Sequence, residues 1–232
     1  MTPARARTVH LVVATAAWVA LVFQFVLVLQ GSAVLVEEDP PGLATRIYRF
    51  FAYFTVQSNL LVAVSSTALA RDPALDRAGW RVVRLAGLVG ITVTGLVHFF
   101  LLRPLLDLDG ADWLADKLLH MVVPVLAVAA WAWCGPRPRI IAREAAYALC
   151  WPLAWLTWTL VVGGVDGWVP YPFLDAAVEG WGSVVVVSVG ITVLFGALFV
   201  LAARVDRRLP PAPRYVGGHG VSIPRQQRTE DL

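Results

Sequence analysis

The chain has 232 residues, 58% of them hydrophobic and 15% charged, with a mean hydropathy of +0.68. A soluble domain is about 45–50% apolar even with glycine counted, and about 25% charged, so a soluble globular protein is excluded. Two cysteines are too few for a disulfide scaffold, and the apolar content is too high for a disordered or fibrous chain. An interior of this kind calls for a bilayer around it.

Crossing about 30 Å of hydrocarbon takes roughly 20 helical residues. Suitable stretches recur six times: Val9 to Val36, Tyr48 to Ala70, Val82 to Leu102, Leu118 to Trp133, Ala145 to Gly163 and Trp181 to Ala203. The expectation is an all-α polytopic membrane protein with six transmembrane helices in one domain, residues 1–204. The segments between them, EEDPPGLATR and GGVDGWVPYPFLD for example, are rich in charge, Gly and Pro, which end helices. Arg5, Arg7, the first apolar run and Gly31-Ser32-Ala33 imitate a secretory signal. That run, Val9 to Leu29, exceeds the usual 7–15 residue signal core and reads as a span. Residues 205–232 are polar and rich in Pro and Gly, and read as a disordered cytoplasmic tail.

Charge sets the orientation. Six spans put both termini on one side, and 15 of the 19 basic residues fall there, against four (Arg46, Arg49, Arg103, Lys117) on the other. Positive residues stay inside, so both termini are expected in the cytoplasm. Ten of the 16 acids fall outside. The pI of 9.2 is then a topological signal that implies no nucleic-acid partner. Lys117 is the only lysine; with so much Ala, Val and Gly, this points to a GC-rich bacterial genome and a plasma-membrane location. Cys134 and Cys150 fall at cytoplasmic span ends, where a disulfide is not expected, and read as small apolar packing.

Polar side chains inside a bilayer are costly and mark function by default. Thr55 lies about 10 Å below the outer boundary, His98 about 8 Å and His120 about 5 Å, at 1.5 Å per residue. Three spans thus bring polar groups to one depth, with their lateral arrangement open. Thr55, Ser58 and Asn59 share a helical face by their i, i+3, i+4 spacing, whereas Gln57 points elsewhere. Asp112, Asp116 and His120 recur at i+4, a spacing in which a carboxylate can orient an imidazole. The bland alternatives are that the Thr bonds its own helix at the i−4 carbonyl and that the Asn joins helices. Trp151, Trp155 and Trp158 read as packing or lipid contact, Trp168 as an interfacial anchor, and Pro124 and Pro152 as kinks.

The combination of YFTVQSNLL, HFFLLRP, WLADKLLHMVVP and WVPYPFLD resembles the androgen-induced membrane hydrolase family, in particular its bacterial branch. Animal members of that family cleave fatty-acid esters of hydroxy fatty acids. The resemblance implies a threonine nucleophile at Thr55 and a histidine base at His120, acting on long-chain lipid esters near the outer leaflet. Asp116 is then expected to hold the imidazole tautomer. Asn59, Ser58 or His98 is expected to supply oxyanion donors, and Tyr171 and Trp168 to cover the mouth. Membrane lipids are the expected partners. No metal or other cofactor is expected, because no convincing ligand cluster, phosphate loop or nucleotide fingerprint is present. The competing reading is a non-catalytic lipid or small-molecule transporter or binding protein; a scaffold is a third.

Overall fold

The computed structural model describes residues 2–32, 41–137 and 140–210. Among these the regular structure is all helical, with no strand. The long elements are α1 (Pro3–Leu29), α2 (Leu43–Ala52), α3 (Phe54–Arg71), α4 (Ala78–Val97), α5 (Gly110–Lys117), α6 (Val123–Cys134), α7 (Ala142–Asp166) and α8 (Ala176–Arg208). Two π-helical turns, His98–Leu102 and Leu118–Val122, extend α4 and join α5 to α6 in a single rod.

Five of these rods are long and apolar enough to cross a membrane: Pro3–Leu29, Ala78–Leu105, Gly110–Cys134, Ala142–Asp166 and Ala176–Arg208. Helix α3 is not among them, because Gln57, Ser58, Asn59 and a run of Ser and Thr dilute its apolar residues. Its surroundings explain this composition. It lies between α1 and α4, its two principal neighbours, so its polar groups face protein. By contrast α8 exposes Val178, Val185, Val186, Val189 and Val193, an apolar surface suited to lipid tails. Helix α4 is central and touches α3, α6, α7 and α8. Two glycines bring its backbone close to neighbours: a Cβ at Gly90 would lie 2.7 Å from the Trp151 ring, and one at Gly95 would lie 3.2 Å from the His120 carbonyl oxygen.

Several expected boundaries move. The second span, expected to run unbroken from Tyr48, is interrupted at Tyr53, whose φ of −64° and ψ of 127° are extended. The fourth rod starts at Gly110, ahead of the expected Leu118, because Asp112 and Asp116 find partners inside the bundle. The last helix continues to Arg208, past the expected domain end at residue 204. Residues 211–232 of the expected tail, and Glu37, Glu38, Asp39 and Arg139 of the charge pattern, lie outside the described residues. The two ends of the bundle are joined by different contacts. At one end Arg81 pairs with Glu144 at 2.6 Å and the Ile140 N–H donates to Asp206 at 3.2 Å. At the other, the Ser32 hydroxyl donates to Asp112, and Arg46 donates to the Val28 carbonyl at 3.0 Å.

Candidate active site

The break at Tyr53 creates the site. A continuous helix would leave Thr55 free to bond back to residue 51, as Thr67, Thr92, Thr157 and Thr192 do to their own i−4 carbonyls at 2.7–2.9 Å. With the helix restarting at Phe54, Thr55 sits in the first turn of α3, where N–H groups lack helical partners. The carbonyls freed at the end of α2 are taken by side chains. Gln57 Nε2 donates to Phe51 O at 3.0 Å, and Trp155 Nε1 donates to Ala52 O at 2.8 Å. Trp151 Nε1 donates to Gln57 Oε1 at 3.0 Å and holds that amide in place. The tryptophans expected to act as simple packing thus brace the break.

His120 lies within the second π turn. Pro124 accounts for that turn: in α register it would remove the donor for the His120 carbonyl and clash with it. The wider turn also leaves the Leu119 carbonyl facing Pro124, which has no N–H to give. Asn59 supplies the missing donor, its Nδ2 reaching Leu119 O at 3.3 Å and Thr55 O at 2.9 Å. His98 begins the other π turn and stacks on His120, with ring centroids 3.9 Å apart and planes within 12°. Such turns inside α-helices are frequent at functional sites.

The reactive groups then fall into line. Thr55 Oγ1 is 3.2 Å from His120 Nε2, and His120 Nδ1 is 3.0 Å from both Asp116 Oδ1 and the Asp116 carbonyl. Two acceptors at Nδ1 put the proton of the neutral ring there and leave Nε2 bare to receive the Thr55 hydroxyl proton. Asp116 also contacts Lys117 Nζ at 2.8 Å and lies 3.3 Å from His98 Nε2. Thr55 and Asp116 are each 6% exposed, so this line of contacts lies largely away from water.

The remaining expected residues divide. Ser58 is buried on the α4 side, near Gly90, and its Oγ has no hydrogen-bond partner. Asn59 has both its bonds committed to carbonyls. Both residues share the Thr55 face, as their spacing predicts, but the Asn59 amide is spent on Thr55 O and Leu119 O. His98 lines a cavity with His120. Tyr171 is not a surface cover: it is 7% exposed, receives the Thr55 N–H at 3.1 Å and lies 3.3 Å from Thr55 Oγ1. Burial pushes its phenol above the ordinary range and keeps it protonated. Trp168 stands edge-on to Tyr53 at 5.9 Å beneath the Arg49 guanidinium.

Thr55 and Tyr171 form a wall shared by two cavities. One is walled mainly by Val93, Leu149, Trp155, Leu156, Ile191 and Phe195. The other opens past Gln24, Arg46, His98, His120 and Trp168. His98, Asp116 and His120 also bring three possible metal-donor atoms within 4.8 Å of one another, a cluster the sequence reading did not anticipate. With Lys117 already on the carboxylate, the set suits a hydrogen-bond relay better than a metal centre. Compared with known proteins, the chain matches no family model, no curated protein and no solved structure.

Proposed function

We propose that the chain is a hydrolase of long-chain lipid esters embedded in a bacterial plasma membrane, consistent with its resemblance to the androgen-induced membrane hydrolases. In this reading α3 is a sixth crossing beside the five apolar rods, both termini are cytoplasmic, and the site lies near the outer leaflet. The observation that carries the reading is the relay from Thr55 Oγ1 through His120 to Asp116, at 3.2 and 3.0 Å. Thr55 Oγ1 attacks the ester carbonyl carbon while His120 Nε2 takes its proton. The proton passes to the departing alkoxide as the C–O bond breaks, and a water repeats the sequence on the acyl-threonine. An acyl chain entering from the lipid would occupy the apolar cavity beside Val93 and Phe195.

The full chain, purified in detergent, is tested with p-nitrophenyl octanoate and palmitate and with a fluorophosphonate probe, beside Thr55→Ala and His120→Ala. Expected are turnover by the wild type, probe attachment at residue 55, and losses of about 10³-fold or more in both variants. Equal turnover by all three proteins, or none by the wild type, overturns the reading. A lipid or small-molecule carrier is the second reading, supported by the cavities on both sides of Thr55; it expects binding without turnover.

A further inference from the structure

A threonine relay of this kind is incomplete without a donor for the carbonyl oxygen, which takes up negative charge as Thr55 attacks. Of the donors expected from the sequence, Asn59 is committed to two carbonyls, Ser58 lies toward α4, and His98 Nε2 lies 3.3 Å from Asp116. One hydroxyl remains at the reacting atom. Tyr171 lies 3.3 Å from Thr55 Oγ1, and because the Thr55 N–H donates to its oxygen at 3.1 Å, its own proton is free for another acceptor. The Phe54 N–H faces the same oxygen. Both N–H groups belong to the opening turn of α3, created by the break at Tyr53, where helical N–H groups carry partial positive charge. A hydroxyl that accepts from such groups becomes a stronger donor in turn. The ring is held by Tyr53 edge-on at 5.7 Å and by Phe173 stacked at 5.3 Å.

We propose that Tyr171 is a catalytic residue that donates its hydroxyl proton in a hydrogen bond to the carbonyl oxygen of the ester in the transition state. The inference rests on the esterase reading above. At rest the Tyr171 O–H points to Thr55 Oγ1. As an Oγ1 lone pair forms the new bond to carbon, the carbonyl π pair moves onto oxygen and the Thr55 proton goes to His120. The Tyr171 hydrogen bond transfers to the new oxyanion without the proton leaving tyrosine. When the intermediate collapses and the alkoxide departs with the His120 proton, the bond returns to its starting acceptor.

The test uses the full chain in detergent with p-nitrophenyl palmitate. Tyr171→Phe should lower kcat about 10²–10³-fold and leave KM within threefold, while Tyr147→Phe, on an exposed stretch of α7, turns over as the wild type does. In a second arm, mono- and difluorotyrosine replace Tyr171, and kcat should change in order of phenol acidity. Wild-type kcat in Tyr171→Phe, or a kcat indifferent to fluorination, overturns the proposal; if Thr55→Ala is silent in the same assay, the esterase reading still stands. A wild type that turns over no ester defeats both together. Should Tyr171→Phe fail to fold, the fluorotyrosine series decides alone.

Discussion

Threonine within a membrane helix ordinarily returns its hydroxyl to the helix backbone, and among the described residues five threonines do so at 2.7–3.1 Å. Thr55 differs: the residue two before it is extended, and its hydroxyl faces His120 and Tyr171. Spacing made part of this site legible: Asp116 and His120 at i+4 form the contact that a helix predicts, and the structure brings Thr55 and His98 against His120. Tyr171 was not legible in the same way, because nothing in WVPYPFLD fixes how a loop between helices folds back. The carboxylate beneath His120 fixes which nitrogen is bare. Asp116→Asn is therefore expected to keep the contact but permit the wrong tautomer, lowering kcat by about 10²–10⁴ with KM little changed; a variant with wild-type kcat would remove Asp116 from the relay. The stacked imidazoles give a second expectation. If the cluster acts through hydrogen bonds, prolonged incubation with EDTA leaves ester turnover unchanged, whereas loss of turnover restored by a divalent cation would make it a metal centre.

Three irregularities in otherwise regular helices place these groups: the extended Tyr53 and the two π turns. Only the second π turn has a cause readable in the chain, and even there the consequence is not. Pro124 forbids the α register at His120, so a kink was expected. The direction in which the helix yields depends on Asn59 and Gly95, which lie on other helices and supply a donor and a close approach. Nothing in FFAYFTVQSN requires a helix end, and Tyr53 lies inside an apolar run that reads as continuous. The break persists because Gln57, held by Trp151, and Trp155 satisfy the carbonyls it exposes, while Tyr171 takes the Thr55 N–H. Gln57→Leu leaves the Phe51 carbonyl and the Trp151 indole N–H without partners. It should cost about 1–3 kcal/mol, read as a lower thermal midpoint in detergent, with a larger fractional loss of kcat than a distant substitution of equal midpoint. An unchanged midpoint would mean that the break holds itself.

At the scale of the molecule, hydropathy finds the helices that face lipid and misses the one that does not. Helix α3 has 18 residues, about 27 Å at 1.5 Å per residue, close to the thickness to be crossed. Ten of its residues are buried, Ser58 and Asn59 completely, and α1 and α4 cover it on both sides. A helix so enclosed can carry polar groups without exposing them to hydrocarbon, and α3 is the helix that carries Thr55, Ser58 and Asn59. Whether α3 crosses is decided by its two ends. A Cβ added at Gly42 or Gly79 meets no atom beyond its own chain neighbours within 4 Å, so a cysteine fits at either. In a Cys150→Ser background, with Cys134 only 1% exposed, each is scored with an impermeant maleimide on intact cells. Six crossings predict that Gly42→Cys and Asp107→Cys label from outside, and that Gly79→Cys labels only after permeabilisation. Labelling of positions 42 and 79 from the same side would leave five crossings, put the termini on opposite faces, and require Thr55 to reach its ester from a helix that enters the bundle and does not traverse it.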